Sequence, residues 1–332
     1  MRNPRQTRRI TLIFALAALG AVLSAAVPRY NLLDPYLQLI LGYIGINIIL
    51  AMSLNLVNGY MGEFSIGHAG FMAVGAYVSA ILTVRVFPVH LQQLLFPLAV
   101  AAGGGAAALL GLLVAVPSFR TRGDYLAIVT LAFTMIVKSA IENIGAIGGP
   151  RGFLGMHKLT TLPWTYAWAA AAVFLMRNFI YSAFGRGMLA IREDEIAGEL
   201  LGVDVRRVKV LAFSLSSFFA GVGGALLAHL LQFINPRMFD ITRSTDILIM
   251  VYLGGIGSLA GSVVGATLYT VLLELLRPVG IWRMVLMPLA LVLIMIYRPR
   301  GIMGLKELTL LLPARDRDRR GEFIPDGEMG IR

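Results

Sequence analysis

What most constrains this chain is the recurrence of apolar runs of about 20 residues, each long enough to cross the hydrocarbon of a bilayer. Water is missing there, so a crossing segment has to satisfy its own backbone, as a helix does. Charged residues make up 14% of the chain, against roughly a quarter in ordinary soluble domains, and the mean hydropathy is +0.78. The fold class expected is therefore all-α, a polytopic transmembrane helical protein.

Ten segments are expected to cross, at 10–27, 36–57, 69–84, 94–116, 125–144, 164–181, 208–233, 246–257, 259–276 and 284–297. The count falls toward eight if short or Gly-interrupted pieces such as 246–257 do not cross. Basic residues cluster at the N-terminus (Arg2, Arg5, Arg8, Arg9), in the loop 185–209 (Arg186, Arg192, Arg206, Arg207, Lys209) and after Arg298. The positive-inside rule puts these three regions on the cytoplasmic side, with six crossings between the first two and four after the loop. The same rule and anionic lipid headgroups account for the net charge of +11, so no nucleic-acid partner is expected. A cleaved signal peptide resembles the first apolar run, but its length and the spans that follow favour an uncleaved helix. Residues 1–304 are read as one transmembrane domain and 305–332 as a charged tail without fixed structure.

Between the second and third runs lies a segment unlike either: Asn55, Asn58, Gly59, Gly62, Glu63, Ser65, Gly67 and His68. Polar groups and irregular backbone at membrane depth survive where they line a cavity or pack against protein. Asn55, Asn58, Glu63, Ser65 and His68 are therefore candidates for a translocation pathway. For the asparagines, the serine and the histidine, a structural role holding helices together competes with that reading. Glu63 is the sharper candidate unless it lies at the surface. Gly59-x-x-Gly62 with Gly75-Ala76 is echoed by Gly254-x-x-Gly257 with Gly265-Ala266. Paired Gly-interrupted segments in two halves point to an internal pseudo-repeat with broken helices; close helix packing is the plainer explanation of most of these glycines.

The one long polar stretch between spans runs from Gly185 to Asp204. Residues 193–201 read as a short amphipathic helix with acids early in it, as the macrodipole favours, and Gly202 is placed to stop it. An apolar stripe of Ile191, Ile196, Leu200 and Leu201 suits a groove on a soluble partner or the lipid interface.

At this point the residues resemble a family. Asn58-Gly-Tyr-Met-Gly-Glu-Phe-Ser-Ile-Gly-His-Ala-Gly-Phe71, Gly123-Asp-Tyr-Leu-Ala-Ile-Val-Thr-Leu-Ala-Phe133, Gly148-Gly-Pro-Arg-Gly152, the loop from Gly185 to Gly202 and Tyr297-Arg-Pro-Arg-Gly-Ile-Met-Gly304 stand in the order of blocks in branched-chain amino acid ABC permeases of the LivM type. The resemblance covers about Tyr36 to Gly304. It implies a bacterial inner-membrane permease that moves leucine, isoleucine and valine. It further implies a homologous second permease, two cytoplasmic ATPase subunits and a periplasmic or lipid-anchored substrate-binding protein. By the same resemblance, a coupling helix at 193–202 engages the ATPase, with Arg192, Glu193, Glu195, Ala197, Gly198 and Gly202 as its residues. Against the general importer pattern Glu-Ala-Ala-x-x-x-Gly, the glycine counted from Glu195 falls one residue late.

Enzymatic chemistry finds no foothold in the sequence. There is no Gly-x-x-x-x-Gly-Lys-[Ser/Thr], so ATP is expected on partner subunits and this chain is expected to carry no cofactor of its own. Its four histidines (His68, His90, His157, His229) include no metal-spaced pair, and cysteine is absent. Two alternatives stay open: the same importer class acting on urea, short amides, a sugar or a nucleoside, and a gradient-driven secondary transporter.

Overall fold

A computed structural model describes residues 18–30, 32–119, 125–297 and 301–304. The first part of the expected first span and the expected tail at 305–332 lie outside the described residues. The described chain is helical, and its sole strand-like pairing is an isolated antiparallel bridge between Phe153 and Ile234.

The helices are α1 (Ala18–Arg29), α2 (Pro35–Asn55), α3 (His68–Ile81), α4 (Gln92–Ser118), α5 (Tyr125–Asn143), α6 (Leu162–Ile180), α7 (Ala183–Glu193), α8 (Glu195–Leu200), α9 (Val205–Leu231), α10 (Ile241–Gly254), α11 (Leu259–Leu275) and α12 (Arg283–Tyr297). Several starts follow from capping residues legible in the sequence. Asp204 accepts from the Arg207 amide, Asp240 from Thr242 and Ser258 from Gly261, while Pro35 occupies the first turn of α2.

Among the described residues, five helical stretches are long and apolar enough to cross a bilayer: Pro35–Met61, His68–Val86, Val89–Ser118, Tyr125–Asn143 and Val205–Leu231. A sixth arises if α6 and α7, bent by 69° at their junction, count as one span. Among the described residues, length and composition thus leave the ten expected crossings unconfirmed. The unconfirmed ones lie mainly in the last third of the chain, where α10 and α11 are 14 and 17 residues long and meet at a glycine corner instead of running through.

The core is a three-helix contact of α3, α4 and α9. Lipid gives helices little hydrophobic reason to associate, so close backbone approach and dispersion have to hold them. Gly75 shows how close: a Cβ there would lie 2.1 Å from the Gly221 carbonyl oxygen. Phe71 stacks on Phe133 at 4.5 Å and meets Phe213 edge-on at 5.6 Å. Around this core α2 packs on α9, α6, α10 and α11. At one end of the bundle, here the top, the 144–161 segment is tied down by the Phe153–Ile234 bridge and by Thr160 donating to the Leu226 carbonyl. The opposite end, the base, carries α7 and α8.

Candidate functional site at the base of the bundle

The broken segment between α2 and α3 is where the sequence candidates converge. Beyond Asn55 the helix widens into a π-helical turn (Leu56–Met61) that stops at Gly62, in the left-handed region at φ 79°. Residues 62–67 are non-helical, and α3 starts at His68.

Asn55 is fully buried and uses its whole amide. Its Nδ2 donates to the Ser258 carbonyl (2.9 Å) and to Ser262 Oγ (2.7 Å), and its Oδ1 accepts from the Gly257 amide (2.9 Å). It therefore joins the end of α2 to the corner between α10 and α11. Gly59 lies in the same contact, since a Cβ there would sit 2.0 Å from Asn55 Oδ1 and 2.5 Å from Gly257 N. The two Gly-x-x-Gly turns singled out in the sequence touch each other.

Asn58 closes the broken segment on itself, accepting from the Ser65 amide (3.1 Å) and donating to its carbonyl (3.4 Å). Ser65 is buried, and its hydroxyl has no hydrogen-bond partner. His68 Nε2 lies 3.2 Å from Ser53 Oγ and 3.3 Å from Ser216 Oγ. Both hydroxyl protons are already committed, Ser53 to the Leu50 carbonyl and Ser216 to the Ser53 carbonyl. The two oxygens are left to accept, so the network places the proton on Nε2. Buried Nδ1 has no partner.

Glu63 points away from this polar core and toward the base. Lys209 Nζ, on the first turns of α9, donates to Glu63 Oε1 at 2.6 Å and to Glu195 Oε2 at 2.8 Å. The lysine side chain is 7% exposed and lies 5.7 Å from the centre of the Phe119 ring. Close by, Arg192 Nη1 donates to the Gly59 carbonyl at 3.1 Å, Nη2 pairs with exposed Glu193 at 2.8 Å, and the arginine stem packs against Gly62.

The expected helix at 193–201 is split in two. Glu193 ends α7, and Asp194 takes an extended conformation, accepting at Oδ1 from the Ile196 and Ala197 amides to cap α8. Capping wins because Asp favours the end of a helix over its interior. Gly198 is buried against α7, and its carbonyl accepts from Val203. Gly202 ends the turn at φ 85°, as its position in the sequence suggested. Ile196, Leu200 and Leu201 are exposed to 64%, 84% and 82%, while Ile191 is buried in α7 and leaves the stripe.

Two clusters were not anticipated. Lys209 was read as one more basic loop residue, yet it recurs at helical spacing with buried Ala212, Phe213 and Ser216, which was the available signal. Arg243 donates to Asn47 Oδ1 (3.0 Å) and lies 3.9 Å from Asp246, to which Tyr269 donates (2.6 Å); Asn47 in turn donates to Thr270. The i,i+3 spacing of Arg243 and Asp246 hints at their pairing, but their partners on α2 and α11 are remote in sequence. Lys138 and Glu142 form no ion pair among the described residues, and Glu274 pairs with Arg277 beside Tyr36 at the far end of α2. No group of three or more metal-ligating side chains occurs among the described residues.

An all-helical bundle with paired glycine breaks and a short amphipathic helix standing off one end defines a multi-pass membrane protein of the transporter class. Residues 36–297 match the model of the family "Branched-chain amino acid transport system / permease component", and the chain belongs to that family. It is 33% identical over 302 residues to the high-affinity branched-chain amino acid transport system permease protein LivM of Escherichia coli K12, covering 80% of this chain and 70% of the relative. It is 24% identical over 326 residues to a probable branched-chain amino acid transport permease protein LivM of Methanocaldococcus jannaschii, covering 82% and 94%. The permease protein LivH of Salmonella typhimurium is 31% identical over 141 residues, 41% of this chain and 45% of that one. No solved structure matches.

Proposed function

We propose that this chain is a permease subunit of an ATP-driven importer of branched-chain amino acids in the bacterial inner membrane. ATP is bound and hydrolysed by separate subunits, which dock on α8. The base of the bundle faces the cytoplasm, together with both termini. A homologous second permease completes the pathway, and a binding protein delivers the substrate from the opposite side.

The observation that carries this reading is α8 itself. A six-residue helix whose last residue, Leu200, and the following Leu201 are almost fully exposed has little reason to stand outside an apolar bundle unless a partner covers it. Family membership and the LivM and LivH relatives favour the substrate class. In this reading Arg192, Glu193, Glu195, Ala197, Gly198 and Gly202 shape the docking helix. Asn55, Asn58, Ser65 and His68 build the polar interior beside the pathway.

The test is uptake of labelled leucine in a deletion strain that keeps the partner subunits, with and without this chain, and with valine, urea and ribose as unlabelled competitors. Restored uptake that valine blocks, and that survives a proton uncoupler while ATP is maintained, is the expected result. Competition by urea or ribose alone overturns the substrate class, and collapse with the uncoupler overturns the energy source. A Leu200→Glu variant separates the mechanisms further, since it abolishes uptake only if α8 docks on an ATPase.

A further inference from the structure

The ion cluster at the base does more than set one ammonium between two carboxylates. Its members come from three separate parts of the chain: Glu63 from the broken segment before α3, Glu195 from the first turn of α8, and Lys209 from α9. Arg192, at the end of α7, makes a second tie to the same segment through the Gly59 carbonyl. Two points of the α2–α3 break are thus tied to the base: Gly59 to Arg192 at the end of α7, and Glu63, through Lys209 of α9, to Glu195 of α8. Four residues before Gly59, Asn55 carries the connection on to Gly257, Ser258 and Ser262 at the α10–α11 corner. A line of direct hydrogen bonds and close backbone contacts runs from the exposed helix to the touching glycine turns of the two halves.

We propose that Lys209 is a positioning residue that passes movement of α8 to the broken segment leading into α3, an inference that rests on the importer reading above. Nζ holds one carboxylate from each moving part, so a shift of Glu195 draws on Glu63 through a single ammonium. Lys209 suits the task because its stem is enclosed beside Phe119 and its short contacts leave little slack. The Arg192 tie ends on a backbone carbonyl, so it transmits movement of the segment as a whole and not of one side chain. Coupling of this kind needs a demonstrated energetic link and not adjacency alone.

The experiment uses the complete transporter in proteoliposomes, with this chain, the partner permease, the ATPase subunits and the binding protein. Labelled leucine uptake and ATP hydrolysis are followed in the same vesicles for wild type, Lys209→Arg, Lys209→Met and Glu63→Gln. Glu63→Gln removes the charge of the inner arm, leaving at most a neutral hydrogen bond there, and keeps the Lys209–Glu195 pair that faces α8. Expected is a fall of about tenfold in leucine moved per ATP for Lys209→Met and Glu63→Gln, a typical size for coupling between sites. ATPase subunits should co-purify in wild-type amount, and Lys209→Arg should retain most of the ratio. A ratio within about twofold of wild type in both neutral variants overturns the proposal, because that is below the usual range of such coupling. So does a loss of uptake fully matched by loss of ATPase co-purification, which marks a structural role. Wild-type vesicles in which ATP drives no uptake of labelled leucine, nor of labelled urea or ribose run in parallel, overturn the importer reading and this inference together. Working wild type with unchanged variants overturns the inference alone.

Discussion

Replacing Asn55 by alanine removes three hydrogen bonds that join the two halves of the bundle: two donated by Nδ2 at 2.9 and 2.7 Å and one accepted by Oδ1 at 2.9 Å. Interhelical hydrogen bonds inside membrane proteins are worth about 0.6 kcal/mol each on average, so the bonds together contribute roughly 2 kcal/mol. The partners left behind differ. The Ser258 carbonyl keeps bonds from the Ser262 amide and hydroxyl, both at 3.1 Å. The Gly257 amide loses the partner the structure gives it, and a stranded donor that is only partly buried costs about 1–2 kcal/mol, the lower part of the usual range. The expected destabilisation is therefore about 3–4 kcal/mol, read as the shift in unfolding free energy in a mixed-micelle denaturant titration. The Asn55→Ala/Ser262→Ala double-mutant cycle isolates the 2.7 Å bond, with an expected coupling of about 0.6 kcal/mol. Asn58→Ala, which breaks contacts within one segment only, should cost about 1 kcal/mol. If Asn55→Ala shifts stability no more than Asn58→Ala, the inter-half bonding inferred from the structure is refuted.

Other perturbations follow the same physics. Gly75→Ala places a Cβ 2.1 Å from a carbonyl oxygen and 2.4 Å from the Cα of Gly221, both backbone atoms that cannot step aside. More than about 4 kcal/mol should be lost, and no monodisperse protein should elute from size exclusion. Asp194→Ala removes the cap of α8 and should cost that helix about 1 kcal/mol, seen as faster hydrogen exchange at the amides of Ile196 and Ala197 with α9 unchanged.

Much of the fold was legible because its causes are local. Long apolar runs separated by basic or Gly-rich connections predict helices 2, 4, 5 and 9 to within a few residues, as continuous hydrocarbon burial leaves the backbone no other choice. Asp204, Asp240 and Ser258 cap their helices in the same local way, although the hydropathy runs put the first two starts at 208 and 246. The split at Asp194 was missed although its capping residue was in plain sight. Amphipathic spacing continues across the break, and periodicity alone cannot show where a cap interrupts it. The crossing number was less secure for a related reason, since a short apolar helix and a half-span look the same in sequence.

The sequence by itself determined the fold class, the placement of the glycine breaks, the exposed helix in the polar loop and the family that these blocks mark. It could do so because hydropathy, helix capping and turn chemistry act over a few neighbouring residues. Only the tertiary structure decided that Glu63 joins Lys209 and Glu195 at the base, that Asn55 spans to Gly257, Ser258 and Ser262, and that His68 meets Ser53 and Ser216. Most of those partners lie far from one another in the chain. A carboxylate or an amide carries no record of its partner until helix packing brings the two within 3 Å or so, the reach of a hydrogen bond.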